Sequence, residues 1–151
     1  MVCLGNICRS PMAEGIMQVL LDEKSINGKV DSAGIADYHE GDHPDRRAIN
    51  TSKEFGVDIS RQVSRPILER DLVEFDYIFT MDTMVHDHII SKWSQHPGIH
   101  KVHLFLEFAG SVKGPDYNVP DPYYGGVLEF RNVFGILEKG CEKILDKIAA
   151  T

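Results

Sequence analysis

The sequence predicts an α/β fold, a parallel sheet covered by helices on both faces. Short apolar runs alternate with helical patterns along the whole chain, and strand–helix alternation favours parallel pairing. No internal repeat, low-complexity tract or linker interrupts that alternation. The length of 151 residues fits one domain over 1–151 with a real core.

The elements follow in order. Met1-Val2 leads into Cys3 as the end of a first strand. Met12, Ile16, Val19 and Leu20 mark one face of a helix over 11–24. Ser10 is read as its cap, with Pro11 in the first turn. Residues 30–33 form a short strand candidate, and 43–55 a helix stopped by Gly56. Residues 77–80 read as a buried strand. Asp82 then caps a helix running to Trp93. Residues 101–104 are a further strand. Phe130, Phe134, Leu137, Cys141, Ile144 and Ile148 alternate steps of four and three, an amphipathic helix running to the C-terminus. Ligand sites in such folds lie beyond the carboxyl ends of the strands, where Cys3 stands.

Composition narrows the function. Apolar residues are 42% and charged residues 26%, as in an ordinary soluble globule. No apolar run approaches the ~20 residues of a membrane span. No signal-peptide pattern opens the chain. An odd count of 3 cysteines disfavours a secreted disulfide scaffold, and a reducing cytoplasm is the expected compartment. The net charge of −7 disfavours general nucleic-acid binding. It does not exclude an anionic substrate, because charges beyond about 8–10 Å are screened.

The chemistry concentrates in Cys3-Leu4-Gly5-Asn6-Ile7-Cys8-Arg9-Ser10. A loop curling round the sulfur aims backbone N–H groups inward. They form a concave anion site and favour a negative sulfur, the nucleophilic form. The spacing brings Arg9 to face the same centre, where its planar fork matches two phosphate oxygens. Gly5 is expected to take positive φ and let an anion approach closely, and Asn6 visits the left-handed region at low cost. A helix N-terminus adds positive potential. Thiolate attack on phosphorus must expel an oxygen, which calls for a general acid. Asp121, between Pro120 and Pro122, projects from a loop, and Tyr123 and Tyr124 beside it can wall a slot for a flat ring. Alone, this segment also reads as a surface turn. Cys8 is either a partner for a reversible disulfide with Cys3 or a small buried hydrophobe. Cys141 is expected in the core. The 7 histidines are too scattered for a metal site.

With these segments quoted, together with Asp31-Ser32-Ala33-Gly34 and Asp121-Pro122-Tyr123-Tyr124-Gly125, the chain resembles the low molecular weight protein tyrosine phosphatases over nearly its whole length. The resemblance implies four parallel strands, a phosphate loop between strand 1 and helix 1, and a two-step reaction without metal or cofactor. It implies a phosphocysteine on Cys3, phosphate binding by Arg9 and general acid–base work by Asp121. It makes Leu4, Gly5, Asn6, Ile7, Cys8, Ser10, Tyr38, Tyr123 and Tyr124 substrate-binding or loop-shaping residues. Ser10 would hydrogen-bond the Cys3 sulfur and Asn6 would hold the loop. Tyr123 and Tyr124 become candidates for phosphorylation. The implied partner is a phosphotyrosine protein. No nucleic acid or membrane is implied, and the expected state is a monomer with at most weak self-association. Phosphoarginine phosphatases tend to carry Thr where Ile7 stands, so Ile7 favours the tyrosine branch. An aromatic slot and a phenol leaving group agree in direction.

Three positions depart from the family pattern. Trp often replaces Tyr38, and a histidine that bonds the loop asparagine often replaces Gln62. Members usually have several more residues before the cysteine, so a trimmed or internal start is expected here. Two other functions fit the loop less well. Arsenate reduction needs further cysteines near 81–90, where this chain has none. A non-catalytic phosphate-binding module needs neither nucleophile nor acid.

Overall fold

Residues 1–110 and 116–151 are described by the computed structural model. Among them, four strands form one parallel sheet in the order β2-β1-β3-β4. The strands are β1 (Val2–Cys3), β2 (Ala33–Gly34), β3 (Ile78–Thr80) and β4 (Val102–Leu104). The helices are α1 (Arg9–Glu23), α2 (Arg46–Glu54), α3 (Asp71–Glu74), α4 (Thr83–Lys92), α5 (Phe105–Ala109) and α6 (Val127–Ala149). A 3₁₀ segment, Pro97–Lys101, leads into β4.

Side chains alternate across a strand, and here the alternation divides the core. Val2, Ala33, Ile78 and Val102 pack with Leu72 of α3 and with Val85 and Ile89 of α4. Cys3 and Phe79 face the other way, into the cluster of α1, α5 and α6. Helices therefore cover both faces, as the alternation predicts. Cys3 ends β1 on the α1 side, and that places its sulfur beneath the first turn of α1.

Several boundaries move for local reasons. β2 begins at Ala33, not Val30. The first register pair is Val2↔Ala33, and residues 30–32 lie before it with no ladder partner. α2 begins at Arg46, not His43. Pro44 disfavours helical geometry at His43, and Asp45 caps the helix by accepting from the Arg47 N–H at 2.8 Å. α1 begins at Arg9, with Cys8 at the cap position and no side chain capping it. Ser10 is not the cap: its hydroxyl is turned into the loop below. Asp82 does cap α4, accepting from the Val85 N–H at 2.8 Å.

Two glycines of α6 have opposite surroundings. A Cβ on Gly140 would overlap the ring of Phe105, which is fully buried. A Cβ on Gly135 meets nothing within 4 Å. Overpacking costs about 1–3 kcal/mol, against up to about 1 kcal/mol gained when Ala replaces Gly in a helix. We therefore predict that Gly140→Ala loses about 1–2 kcal/mol in urea unfolding, while Gly135→Ala gains about 0.5–1 kcal/mol. Equal effects at the two positions would contradict the packing of α5 on α6.

Candidate active site

Residues 4–8 connect β1 to α1 and wrap the Cys3 sulfur. Asn6 turns the loop with φ 57°, the left-handed region. Gly5 does not take positive φ; that falls to Asn6, and Gly5 contributes space, since a Cβ there would press on the His39 ring at 3.2 Å. Gly34 is needed for the same reason on the sheet side. A Cβ on it would lie 2.9 Å from the Leu4 carbonyl oxygen and 3.1 Å from the Asn6 nitrogen. This gives the Asp31-Ser32-Ala33-Gly34 segment a physical role.

Asn6 is buried, and its polar groups are all used. Its side-chain amide donates to Ser10 Oγ at 2.8 Å and Ser32 Oγ at 2.9 Å. Its Oδ1 accepts from the Arg65 N–H at 3.1 Å. Its carbonyl accepts from the Ser64 hydroxyl. Its own N–H donates to Cys3 Sγ at 3.3 Å. Ser10 Oγ lies 3.0 Å from the same sulfur. Two groups thus converge on Cys3 Sγ, and hydrogen bonds to sulfur stabilise its negative form. Among the described residues, no acceptor is found for the backbone N–H groups of Gly5, Ile7 and Cys8. Gln62 does not bond Asn6; its amide donates to the Pro11 carbonyl at 3.0 Å, and Asn6 is held without it.

Arg9 is buried beside the loop. Its Nη1 donates to Asp82 Oδ2 at 2.7 Å and to the Val119 carbonyl at 3.0 Å. Burial works against its charge, but Cys3, Asp82 and Asp121 outweigh burial and raise its pKa. Asp82 therefore both caps α4 and clamps the guanidinium; the sequence signalled only the cap. Asp121 is half-exposed, with Oδ2 3.7 Å from Arg9 Nη2. Its Oδ1 accepts from the Tyr123 N–H at 3.1 Å.

Together, Cys3, Leu4, Gly5, Ile7, Cys8, Arg9, Tyr38, Asp121, Tyr123 and Tyr124 line one pocket of about 230 Å³. His39 also lines it, a residue that sequence reading did not select. Asn6 and Ser10 lie beneath the loop and not on the pocket wall. Tyr38 and Tyr124 form an exposed rim, and the Tyr123 and Tyr124 rings meet edge-on at 5.0 Å. A larger cavity of about 380 Å³ lies at the amino ends of β1 and β3, near Met1 and Tyr77, and none of its lining residues is a cysteine.

Of the other cysteines, Cys8 lines the same pocket and Cys141 lies in the core. Cys3 and Cys8 are both unbridged thiols here. Burial pushes the Cys8 thiol up, with Asp45 adding to the effect, and Cys8 is correspondingly a weak nucleophile. Burial pushes Cys141 up as well, within the α1–α6 core. Among the described residues, no three His, Cys, Asp or Glu side chains are grouped to hold a metal, and no helix is long and apolar enough to cross a membrane.

A family model described as low molecular weight phosphotyrosine protein phosphatase matches residues 1–151. The chain is 38% identical over 150 residues to the Bacillus subtilis low molecular weight protein-tyrosine-phosphatase YfkJ, covering 97% of this chain and 92% of that one. It is similar to a protein tyrosine phosphatase from Entamoeba histolytica crystallised with Hepes in its active site. The TM-score is 0.89, with 36% identity over 99% of this chain and 94% of that one. It is also similar to a Drosophila arginine phosphatase, with TM-score 0.86 and 30% identity over 97% of this chain and 94% of that one.

Behind the loop, Asp31 connects the Asn6 network to a second carboxyl. Arg65 pairs with Asp31 at 3.2 Å and Asp71 at 2.9 Å, and the Glu14 carboxyl of α1 stands beside that of Asp31. Burial, then the neighbouring Asp31 carboxyl, pushes Glu14 up to about 8. Burial alone would raise Asp31, but the Ser32 N–H, Glu14 and Arg65 bring it below 3.8, outside the window that concerns Glu14. Between 4.5 and about 8 the folded chain keeps a proton on Glu14 that the unfolded chain has lost. Stability from this group therefore falls as pH rises through that window and levels above it. Glu14→Gln mimics the protonated carboxyl. We predict that the wild type loses stability relative to Glu14→Gln between about pH 5 and pH 8 in urea titrations. Parallel curves would show that Glu14 ionises normally.

Proposed function

The chain belongs to the low molecular weight phosphotyrosine protein phosphatase family and is a protein-tyrosine phosphatase; from that premise we propose how its own residues perform the hydrolysis. The substrate is phosphotyrosine in a protein, or a small aryl phosphate. One observation carries the reading. A sulfur held by the Asn6 N–H and Ser10 Oγ shares its pocket with a clamped guanidinium and a carboxyl 3.7 Å from that guanidinium.

In the first step Cys3 Sγ attacks phosphorus in line. The S–P bond forms as the bond to the phenol oxygen breaks, and the Asp121 carboxyl delivers its proton to that oxygen. The transferring group spreads charge over three oxygens. The Arg9 fork and the N–H groups of Gly5, Ile7 and Cys8 supply donors already in place for it. In the second step water attacks the phosphocysteine. Asp121 takes the water's proton, the S–P bond breaks, and phosphate leaves with the sulfur negative again. Asn6 and Ser10 stabilise that leaving sulfur, so the same two hydrogen bonds serve both steps.

Selectivity for an aryl ester is supported by the pocket's walls. Leu4 and Ile7 are apolar sides, and Tyr38, Tyr123 and Tyr124 are ring-bearing rims. A slot of this kind excludes water from a phenyl ring.

Cys3→Ser is expected to abolish hydrolysis of phenyl phosphate. Asp121→Ala is expected to lower turnover about 10²–10⁴-fold while a phosphate inhibitor binds nearly as before. Side-by-side assays of phosphotyrosine, phosphoserine and phosphoarginine peptides should favour the first. Full activity in the serine variant, or preference for phosphoarginine, would contradict the assignment.

A further inference from the structure

Asp121 must be held over the pocket by something, and the loop that carries it has little of its own. It is exposed, it precedes α6, and its upstream anchor is Val119, whose N–H donates to the Met81 carbonyl at 2.8 Å and whose carbonyl accepts from Arg9. On the downstream side one residue makes the connection. Arg47, in the first turn of α2, donates from Nη1 to the Gly125 carbonyl at 2.8 Å and from Nη2 to the Tyr123 carbonyl at 2.9 Å. Its guanidinium also lies over the rings of Phe130, at 4.6 Å, and Tyr123, at 5.7 Å.

The guanidinium is itself aimed. Asp45 accepts from Arg47 Nε at 3.1 Å and from Nη2 at 3.0 Å. Asp45 also donates its backbone N–H to the Ile7 carbonyl, in the loop round Cys3, at 2.8 Å. A continuous path therefore runs from the nucleophile's loop through Asp45 and Arg47 to Tyr123. The Tyr123 N–H in turn donates to the Asp121 carboxylate. Both backbone polar groups of Tyr123 are taken, one by Arg47 and one by Asp121.

We propose that Arg47, braced by Asp45, is a positioning residue that sets the distance between the Asp121 carboxyl and the leaving oxygen. The proposal rests on the reading of Asp121 as general acid. Two carbonyls two residues apart and a carboxylate on the opposite side need a planar fork with several donors. Lysine, with one flexible ammonium, cannot meet all three at once. Both carbonyls can turn to water if Arg47 is lost, so the fold survives and the cost falls on geometry. A displacement of about 1 Å at a catalytic group can cost about 10²-fold.

The test uses leaving groups of different acidity in single-turnover experiments that follow release of the phenol. Protonation matters most for the poorer leaving group. Arg47→Met, which keeps the apolar stem on Phe130, is expected to slow phenol release from phenyl phosphate about ten- to hundredfold. With 4-nitrophenyl phosphate, whose phenol is more acidic, the expected loss is no more than about threefold. Arg47→Lys should recover only part of the loss. Asp45→Asn keeps a capping oxygen for α2 and is expected to show the same selectivity in smaller measure; it stands in should Arg47→Met fold poorly. Equal losses on both esters, or none on either, would overturn the brace. Asp121→Asn is the internal standard. If it shows selective loss and Arg47→Met does not, the brace alone fails. If Asp121→Asn itself lacks selectivity, the acid assignment fails and takes the brace with it.

Discussion

The site depends on holding one asparagine in the left-handed backbone region. Asn6 sits at φ 57°, a region asparagine reaches more cheaply than most residues, and one that persists in a fold only where the surroundings over-determine it. The surroundings do. Partners from α1 (Ser10), the segment before β2 (Ser32) and the segment at Ser64 and Arg65 fix its side chain and its carbonyl, and its N–H donates to Cys3 within the loop itself. None of these partners is near it in sequence except Cys3 and Ser10. The loop therefore takes its shape only once the sheet and α1 have assembled, in a place that the rest of the fold over-determines.

This explains what could and could not be read from the chain. The spacing of Cys3, Arg9 and Ser10 is local, so a loop that curls on its own nucleophile was legible from residue types alone. So were the strand at 78–80, the Asp82 cap and the long stripe of α6, because each rests on short-range periodicity. Ser10 was misread as a helix cap because the sequence cannot show that a sulfur and an amide from Asn6 compete for its hydroxyl. Asp82 was legible as a cap and not as the arginine clamp, since its second oxygen meets Arg9 across 73 residues. Arg47 gave no signal at all: on the sequence it is one of two adjacent arginines opening a helix, and its partners lie 76 and 78 residues away. Long-range polar contacts carry no periodicity, and they are where sequence reading stops.

Gln62 makes the same point in reverse. It stands where a histidine that bonds the loop asparagine is usual in the family. In the structure the Asn6 carboxamide oxygen is taken by the Arg65 N–H, and position 62 serves α1 through the Pro11 carbonyl. The donor here is a backbone N–H, which no side-chain change at position 65 short of proline removes.

The electrostatics resolve an apparent conflict between a chain of net charge −7 and an anionic substrate. Arg9, the cation in the pocket, stands between two carboxylates, Asp82 and Asp121. Asp82 fixes its direction by accepting from Nη1 at 2.7 Å and so leaves the other guanidinium edge facing Asp121. While Asp121 is ionised it competes with phosphate for that edge. Once protonated it ceases to compete and at the same moment becomes able to donate to the leaving oxygen. Under the proposed mechanism, binding the dianion and delivering the proton are then coupled through one guanidinium edge. The distant acidic surface is screened, whereas Asp82 and Asp121 lie within 4 Å of Arg9 and set the field that a bound anion would meet.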